Sequence, residues 1–280
     1  SSEPKDAFMA LNRRRWKELT RLTTSGTYTV PAGVYELGVF CMGGGMGGGV
    51  CQNRGGRDNC VASASSGFIR VGVMKVTPGQ KIQYTIGIGG VGASTTSGER
   101  KPPTSGGDTT FGSITAWGGK YRVLKTDLDK QGIGVSIPGV DDYVESCGFC
   151  CGFQGTWNAY PMYMNKKALC GFNSELYMIT DGSQKVASLV LPPDWRLNPF
   201  DPFLTFGAAG GHASVSDSGA VSLQEGSAET SLGRSGASKT SDGENATGYG
   251  NGGGAGVIPY GSSTARKGGN GSPGIVILYS

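Results

Sequence analysis

Apolar positions recur along this chain with two different periods. Within the first 25 residues Phe8, Leu11, Trp16, Leu19 and Leu22 fall at roughly three- and four-residue intervals among Arg, Lys and Glu. That spacing predicts a short amphipathic helix from about Glu3 to Leu22, whose apolar side (Phe8, Leu11, Trp16, Leu19) is a candidate docking surface for a partner or for the chain's own domain. From Gly26 the period becomes two, and strands are expected at about 27–30, 34–42, 67–76 and 81–88. Thr77-Pro78-Gly79-Gln80 is a turn signal and is expected to join the last two as a hairpin. Phe111 to Gly119 reads as one further short strand closed by glycines, and Ile275-Val276-Ile277-Leu278-Tyr279 as a final strand that can pair only with something far back in sequence.

Glycine changes this picture. The apolar run Val39-Phe40-Cys41-Met42 passes directly into Gly43-Gly44-Gly45-Met46-Gly47-Gly48-Gly49, and glycine makes up 51 of the 280 residues, against a usual share of roughly 7%. No strict Gly-X-Y period runs through the chain, which excludes collagen, while 37% apolar and only 16% charged residues argue for a packed core rather than a flexible polymer. An ordered glycine run is plausible only where main chain packs on main chain, because glycine loses the most conformational freedom on folding. Gly43, Gly44, Gly45, Gly47, Gly48 and Gly49, with Gly252, Gly253 and Gly254 near the other end, are therefore expected to be structural, and Gly45→Val to act through steric exclusion.

Residues 120–204 differ in kind, with four of the seven cysteines and few glycine runs. The expected organisation is an N-terminal helical segment, 1–25, followed by one glycine-rich β domain, 26–280, that is discontinuous (26–119 and 205–280) around the insertion. The fold class is all-β: an antiparallel, sandwich-like domain with a short N-terminal helix. Aromatic residues of the insertion are either its own core or an exposed surface for sugar or protein, and Trp157, Tyr160, Tyr163 and Trp195 are the receptor-contact candidates.

Charge and candidate chemistry narrow the function more by exclusion than by assignment. A formal charge of +4, scattered along the chain, does not describe a nucleic-acid binder. No segment approaches the about 18 apolar residues that cross a membrane, and no secretory h-region is visible, so membrane insertion and signal-directed export are not expected. Cys147, Cys150, Cys151 and Cys170 supply half of a zinc-ribbon spacing, but there is no second C-x-x-C and the sole histidine is His212, so free thiols are the simpler reading. Cys41, Cys51 and Cys60 read likewise as small core residues. Two G-x-G-x-x-G matches, at Gly43/Gly45/Gly48 and Gly87/Gly89/Gly92, lack the helix and the later acidic residue that a dinucleotide site needs. No catalytic or cofactor-binding residue is assigned, since Asp127/Asp129 and Asp141/Asp142 lie in polar stretches and nothing around His212 forms a nucleophile elbow.

The order of glycine motifs carries a resemblance. Ser25-Gly26-Thr27-Tyr28-Thr29-Val30-Pro31-Ala32-Gly33-Val34 is followed by the run at 43–49 and by Val76-Thr77-Pro78-Gly79-Gln80 leading into Ile86-Gly87-Ile88-Gly89-Gly90. Gly106-Gly107-Asp108-Thr109-Thr110-Phe111-Gly112, Ala246-Thr247-Gly248-Tyr249-Gly250-Asn251-Gly252-Gly253-Gly254 and Gly268-Gly269-Asn270-Gly271-Ser272-Pro273-Gly274-Ile275-Val276-Ile277 complete the set. Over about 26–119 and 205–280 the chain resembles the glycine-rich domain of bacteriophage tail and tail-fibre proteins. The resemblance implies a non-enzymatic, β-sandwich-like virion module of the tail, made in the host cytoplasm. It further implies a homo-oligomer, with a trimer favoured, in contact with other virion proteins and with a host receptor or glycan. A glycan depolymerase and a head-surface decoration protein are the alternatives. The insertion, and the charged residues Arg57, Arg234 and Lys267 among the glycines, depart from the pattern.

Overall fold

The computed structural model describes residues 16–52, 59–61, 64–96, 99–124, 134–136, 143–147, 176–180, 183–190, 198, 200–201, 203–204, 206–215, 221–224, 229–258 and 264–280. Eight strands build a sandwich: β1 (Glu18–Leu22), β2 (Gly26–Thr29), β3 (Glu36–Met42), β4 (Ile69–Lys75), β5 (Lys81–Thr85), β6 (Thr109–Phe111), β7 (Ile114–Ala116) and β8 (Ile275–Tyr279). One sheet has the order β1-β8-β3-β4 and the other β7-β6-β5-β2, every pair antiparallel. Leu37, Val39, Cys41, Val276 and Leu278 meet Ile82, Phe111 and Ala116 of the opposing sheet in a shared core. The last strand is central to its sheet, which makes the domain non-local and requires its two ends to meet before the core can close.

The first sheet is also covered on its outer side, which explains why β3 and β8 are apolar at successive positions rather than alternating. Phe206 packs edge-on against Phe40 at 4.9 Å and Phe200 stacks on Tyr279 at 5.2 Å. Gly38 sits under Phe200, where a Cβ would come within 2.7 Å of the ring. Asn198 Nδ2 donates to the Tyr279 hydroxyl at 3.1 Å and fixes the same segment over the sheet.

Three expectations are corrected. Residues 18–22 form a strand instead of continuing a helix: β1 pairs along β8, and a register shift between Glu18 and Thr20 reconciles three-residue apolar spacing with an extended chain. Residues 1–15, with Phe8 and Leu11, lie outside the described residues. Second, β4 and β5 belong to different sheets, so 77–80 is a corner between layers and not a hairpin turn. Pro78 and Gly79 (φ 82°) form its centre, Gln80 N–H donates to the Thr77 carbonyl at 3.0 Å, and Gly79 N–H is tied to Val30 O, giving a type II turn. Third, the single strand expected over 111–119 is a hairpin, β6 and β7 turning at Gly112 (φ 56°).

Beyond the sandwich the strands change conformation without ending. β3 runs on into 43–49, β5 into 87–93 and β7 into 117–119, while 64–68, 104–107 and 268–274 lead into β4, β6 and β8. Along 43–49 the amide hydrogen bonds repeat every three residues: Gly43 and Met46 donate to Phe68 O and Ser65 O, Gly44 and Gly47 to Gly107 O and Thr104 O, Gly45 and Gly48 to Ser272 O and Gly269 O. Its carbonyls accept with the same period, from Gly119 at Gly44, from Gly90 and Ala93 at Gly45 and Gly48, and from Gly253 and Gly256 at Met46 and Gly49. Three residues per turn with no internal hydrogen bond is the habit of a polyproline II helix, so 43–49 is one such helix surrounded by six others.

The remaining hydrogen bonds extend this into a lattice of ten segments in three rows. The outer row is 87–93, 268–274 and 241–247; the middle row is 104–107, 43–49, 250–256 and 234–239; the third row is 117–119, 64–68 and 208–211. Segment 250–256 is a second centre, bonded to 43–49, 268–274, 241–247, 234–239, 208–211 and 64–68. Chains this close exclude side chains from interior positions, as at the collagen axis. An added Cβ would meet a main-chain oxygen at 2.0 Å on Gly43, 2.1 Å on Gly44, 1.9 Å on Gly45 and 2.0 Å on Gly48, and Gly252, Gly253 and Gly254 are equally enclosed. The glycine runs near the two ends of the chain thus pack against one another within three rows.

Candidate functional site

The lattice decides what its glycines can do chemically. Every amide from Gly43 to Gly48 is taken by a carbonyl of a neighbouring segment, so the first G-x-G-x-x-G presents no free N–H groups to a phosphate. In the second, Gly87 N–H goes to Thr109 Oγ1, Gly92 N–H to Asn270 Oδ1, and Gly90 N–H to Gly45 O.

What the lattice does present is a face. The third row is covered, with Ala64, Ser65, Ser66, Gly67 and Phe68 all buried, whereas the outer row is open. Its outward positions recur every third residue: Ile88 and Val91, 72% and 58% exposed, then Lys267, Asn270 and Pro273, then Asp242 and Asn245. At a rise of about 3.1 Å per residue, successive side chains on one segment stand about 9 Å apart. An edge segment lacks neighbours for its outward amides, and side-chain oxygens replace them. Asn245 Oδ1 accepts from Asn270 N–H at 2.8 Å, Asn270 Oδ1 from Gly92 N–H at 2.9 Å, and Asp242 Oδ1 from Lys267 N–H at 2.9 Å. Thr104 Oγ1 takes Val91 N–H at 2.7 Å and Asp108 Oδ1 takes Gly118 N–H at 2.9 Å. Asn251, wholly buried between the rows, uses its whole side chain: Oδ1 accepts from Ala208 N–H, and Nδ2 donates to Leu232 O and Thr247 O.

None of these capping residues stands out in the sequence, because each Asn, Asp or Thr in a glycine-rich stretch reads as loop. The usable signal is local: Ile88-Gly89-Gly90-Val91 and Lys267-Gly268-Gly269-Asn270 repeat Gly-Gly-X with one exposed residue per turn.

Of the residues singled out from sequence, Trp157, Tyr160, Tyr163 and Trp195, with Cys150, Cys151 and Cys170, lie outside the described residues, and Cys147 ends a strand over Tyr143–Cys147. Trp16 packs edge-on against Phe200 at 4.9 Å, and Leu19 is 38% exposed. Phe200 and Phe206 are core residues, while Phe203 is exposed. Cys41 and Cys51 are buried in two separate clusters. Burial pushes the Cys41 thiol up to about 12, and its Sγ donates to Thr109 O at 3.3 Å, which makes it an inert core group. Burial likewise pushes the Tyr279 hydroxyl up to about 12, partly opposed by its bond to Asn198. Among the described residues no group of His, Cys, Asp and Glu is placed to hold a metal ion.

A family model described as a glycine-rich domain matches residues 20–280. The chain belongs to this glycine-rich domain family. No curated protein matches it. The matched region begins within β1 and runs through the lattice to the central strand β8 of the first sheet.

Proposed function

We propose that this glycine-rich domain is a structural and host-recognition component of a bacteriophage virion, placed in the tail fibre, tail tip or baseplate. The observation that carries the reading is the ordered series of glycine motifs from Ser25 to Ile277, which resembles phage tail proteins and here forms a lattice with one covered and one open side. A lattice of interlocked main chains is a rigid support, and rigid supports with variable outward residues suit recognition at a particle's surface. The component works as a homo-oligomer, a trimer, attached to other virion proteins, and it has no enzymatic role.

The test is antibody labelling of purified particles from a culture that makes the chain, viewed by electron microscopy, together with competition of cell attachment by the free protein. Label on the tail and inhibited attachment support the reading. Label on the head would favour a decoration protein, and absence from particles would overturn the reading altogether. Release of reducing ends from host envelope polysaccharide, abolished by one carboxylate substitution, would instead establish a depolymerase.

A further inference from the structure

We propose that the free edge of β4 pairs antiparallel with the β4 of a second copy, about a two-fold axis at Gly72, so that two first sheets become one; this rests on the homo-oligomeric part of the reading above and gives it a contact. The strand's main chain is the starting point. Val76 N–H donates to Tyr35 O and Gly43 N–H to Phe68 O, at either end of the β3–β4 ladder. Bonded and unbonded pairs alternate in an antiparallel ladder, so Arg70, Gly72 and Met74 bond to β3, while Ile69, Val71, Val73 and Lys75 turn their N–H and C=O groups to the free edge. Among the described residues no strand pairs with that edge.

The other edges of the sandwich are guarded. β1 carries a register shift between Glu18 and Thr20 together with the charges of Glu18 and Arg21, while β2 has only four residues and β7 three. Short, bulged or charged edges hinder pairing between sheets. β4 has seven residues in unbroken register with β3, no proline, and β-branched Val71 and Val73 near its middle, Val73 being 55% exposed.

The sequence of β4 selects a second copy as its partner. An antiparallel pair must match residues whose groups face the edge, and full overlap then sets Ile69 against the second copy's Lys75, Val71 against its Val73, and Gly72 against its Gly72. Val71 and Val73 lie on the outer face beside Phe40 and Gly38, so each crossing pair is β-branched on β-branched where Phe206 and Phe200 already cover the sheet. Arg70 falls against Met74 and Lys75 against Ile69, so no like charges stand opposite. A two-fold contact closes on two copies, so it joins trimers in pairs and does not build them.

Sedimentation equilibrium of the full chain should give an assembly of an even number of copies that dissociates on dilution. Val73→Pro deletes an edge-facing N–H and no bond of the β3–β4 ladder, so it should keep the circular dichroism of wild type and reduce the mass by about half. Should proline disturb the strand, Val73→Lys should still raise the dissociation constant at least about tenfold, whereas Val73→Thr, which stays β-branched, should leave it within about threefold. Gly72 faces itself at an unbonded site, where Cα atoms stand about 4.5 Å apart and a disulfide can form. Gly72→Cys should therefore crosslink into dimers under mild oxidation, beyond the level of wild type with its own cysteines, and Val73→Cys should not. A monomer at every concentration, a mass that the folded Val73→Pro and Val73→Lys proteins leave unchanged, or no added crosslink in Gly72→Cys would overturn the proposal. A trimer that none of these variants alters, with label on the tail of particles, would remove this contact and leave the virion reading standing.

Discussion

Replacing Gly45 by alanine adds one methyl group at an enclosed point between the two central segments of the lattice. The new Cβ would lie 1.9 Å from Asn251 O and 2.4 Å from its carbonyl carbon, both main-chain atoms with no rotamer to change. Real contacts of this kind do not fall below 3.0 Å, so segments 43–49 and 250–256 must separate by about 1.1 Å, the difference between 3.0 and 1.9 Å. Those segments are joined by Gly253 N–H to Met46 O and Gly256 N–H to Gly49 O, each at 3.0 Å, and a shift of that size breaks both. Two buried groups left unpaired cost about 1–3 kcal/mol each, offset by about 0.4–1 kcal/mol from the stiffer unfolded chain. A net loss of roughly 2–5 kcal/mol would lower the melting temperature by about 5–15 °C, measured by calorimetry or by circular dichroism. Gly72→Ala is the control, because its Cβ would find only Ile114 Cδ1 at an ordinary 3.5 Å and should melt within about 2 °C of wild type. A Gly45→Ala protein as stable as Gly72→Ala would refute the close packing of main chains on which the fold is explained.

Asn251→Ala should destabilise by about 2–4 kcal/mol in urea unfolding, because it leaves Ala208 N–H, Leu232 O and Thr247 O unpaired in the interior; Asn251→Asp, which keeps the acceptor, should recover only part of that. Stability should fall at alkaline pH: burial holds the Cys41 thiol protonated up to about 12 against an ordinary 9.0, and Tyr279 to about 12 against 10.0, so the contribution is complete below pH 9 and is lost between 9 and 12 as the unfolded chain gives up protons that the folded one keeps. The slope of unfolding free energy over that window should be smaller in Cys41→Ala, and native protein should resist alkylation at Cys41.

The sandwich was legible because its signals are additive and local. Alternation over 67–76 and the apolar closing run point to strands that exist, and the closing strand pairs far back in sequence as expected, whereas the 67–76 strand pairs with β3 and not with β5. Which sheet a strand joins is decided by tertiary packing: nothing in Thr77-Pro78-Gly79-Gln80 distinguishes a hairpin from a corner, since the Gly79 N–H that fixes it goes to Val30 O just beyond the end of β2. Over 18–22 the three-residue spacing fits both a helix and a bulged strand, and pairing with β8 is invisible until the chain closes. The glycine runs gave away close backbone packing but not its lattice, since each run is only two or three turns long and the periodicity lies in the partners of successive amides. The open face was illegible for the same reason: Asn245 and Asn270 acquire their roles from segments 25 residues away in sequence and from Gly92 at a separation of 178.

Amide hydrogen exchange followed by NMR at Gly43 to Gly48 tests the central claim most directly. With each of these amides bonded to an interior carbonyl, they should exchange only on global unfolding, as slowly as Phe40 and Ile277 in the sheet. Exchange within seconds at the glycines, beside a protected sandwich, would show a flexible run where the account requires the centre of a lattice.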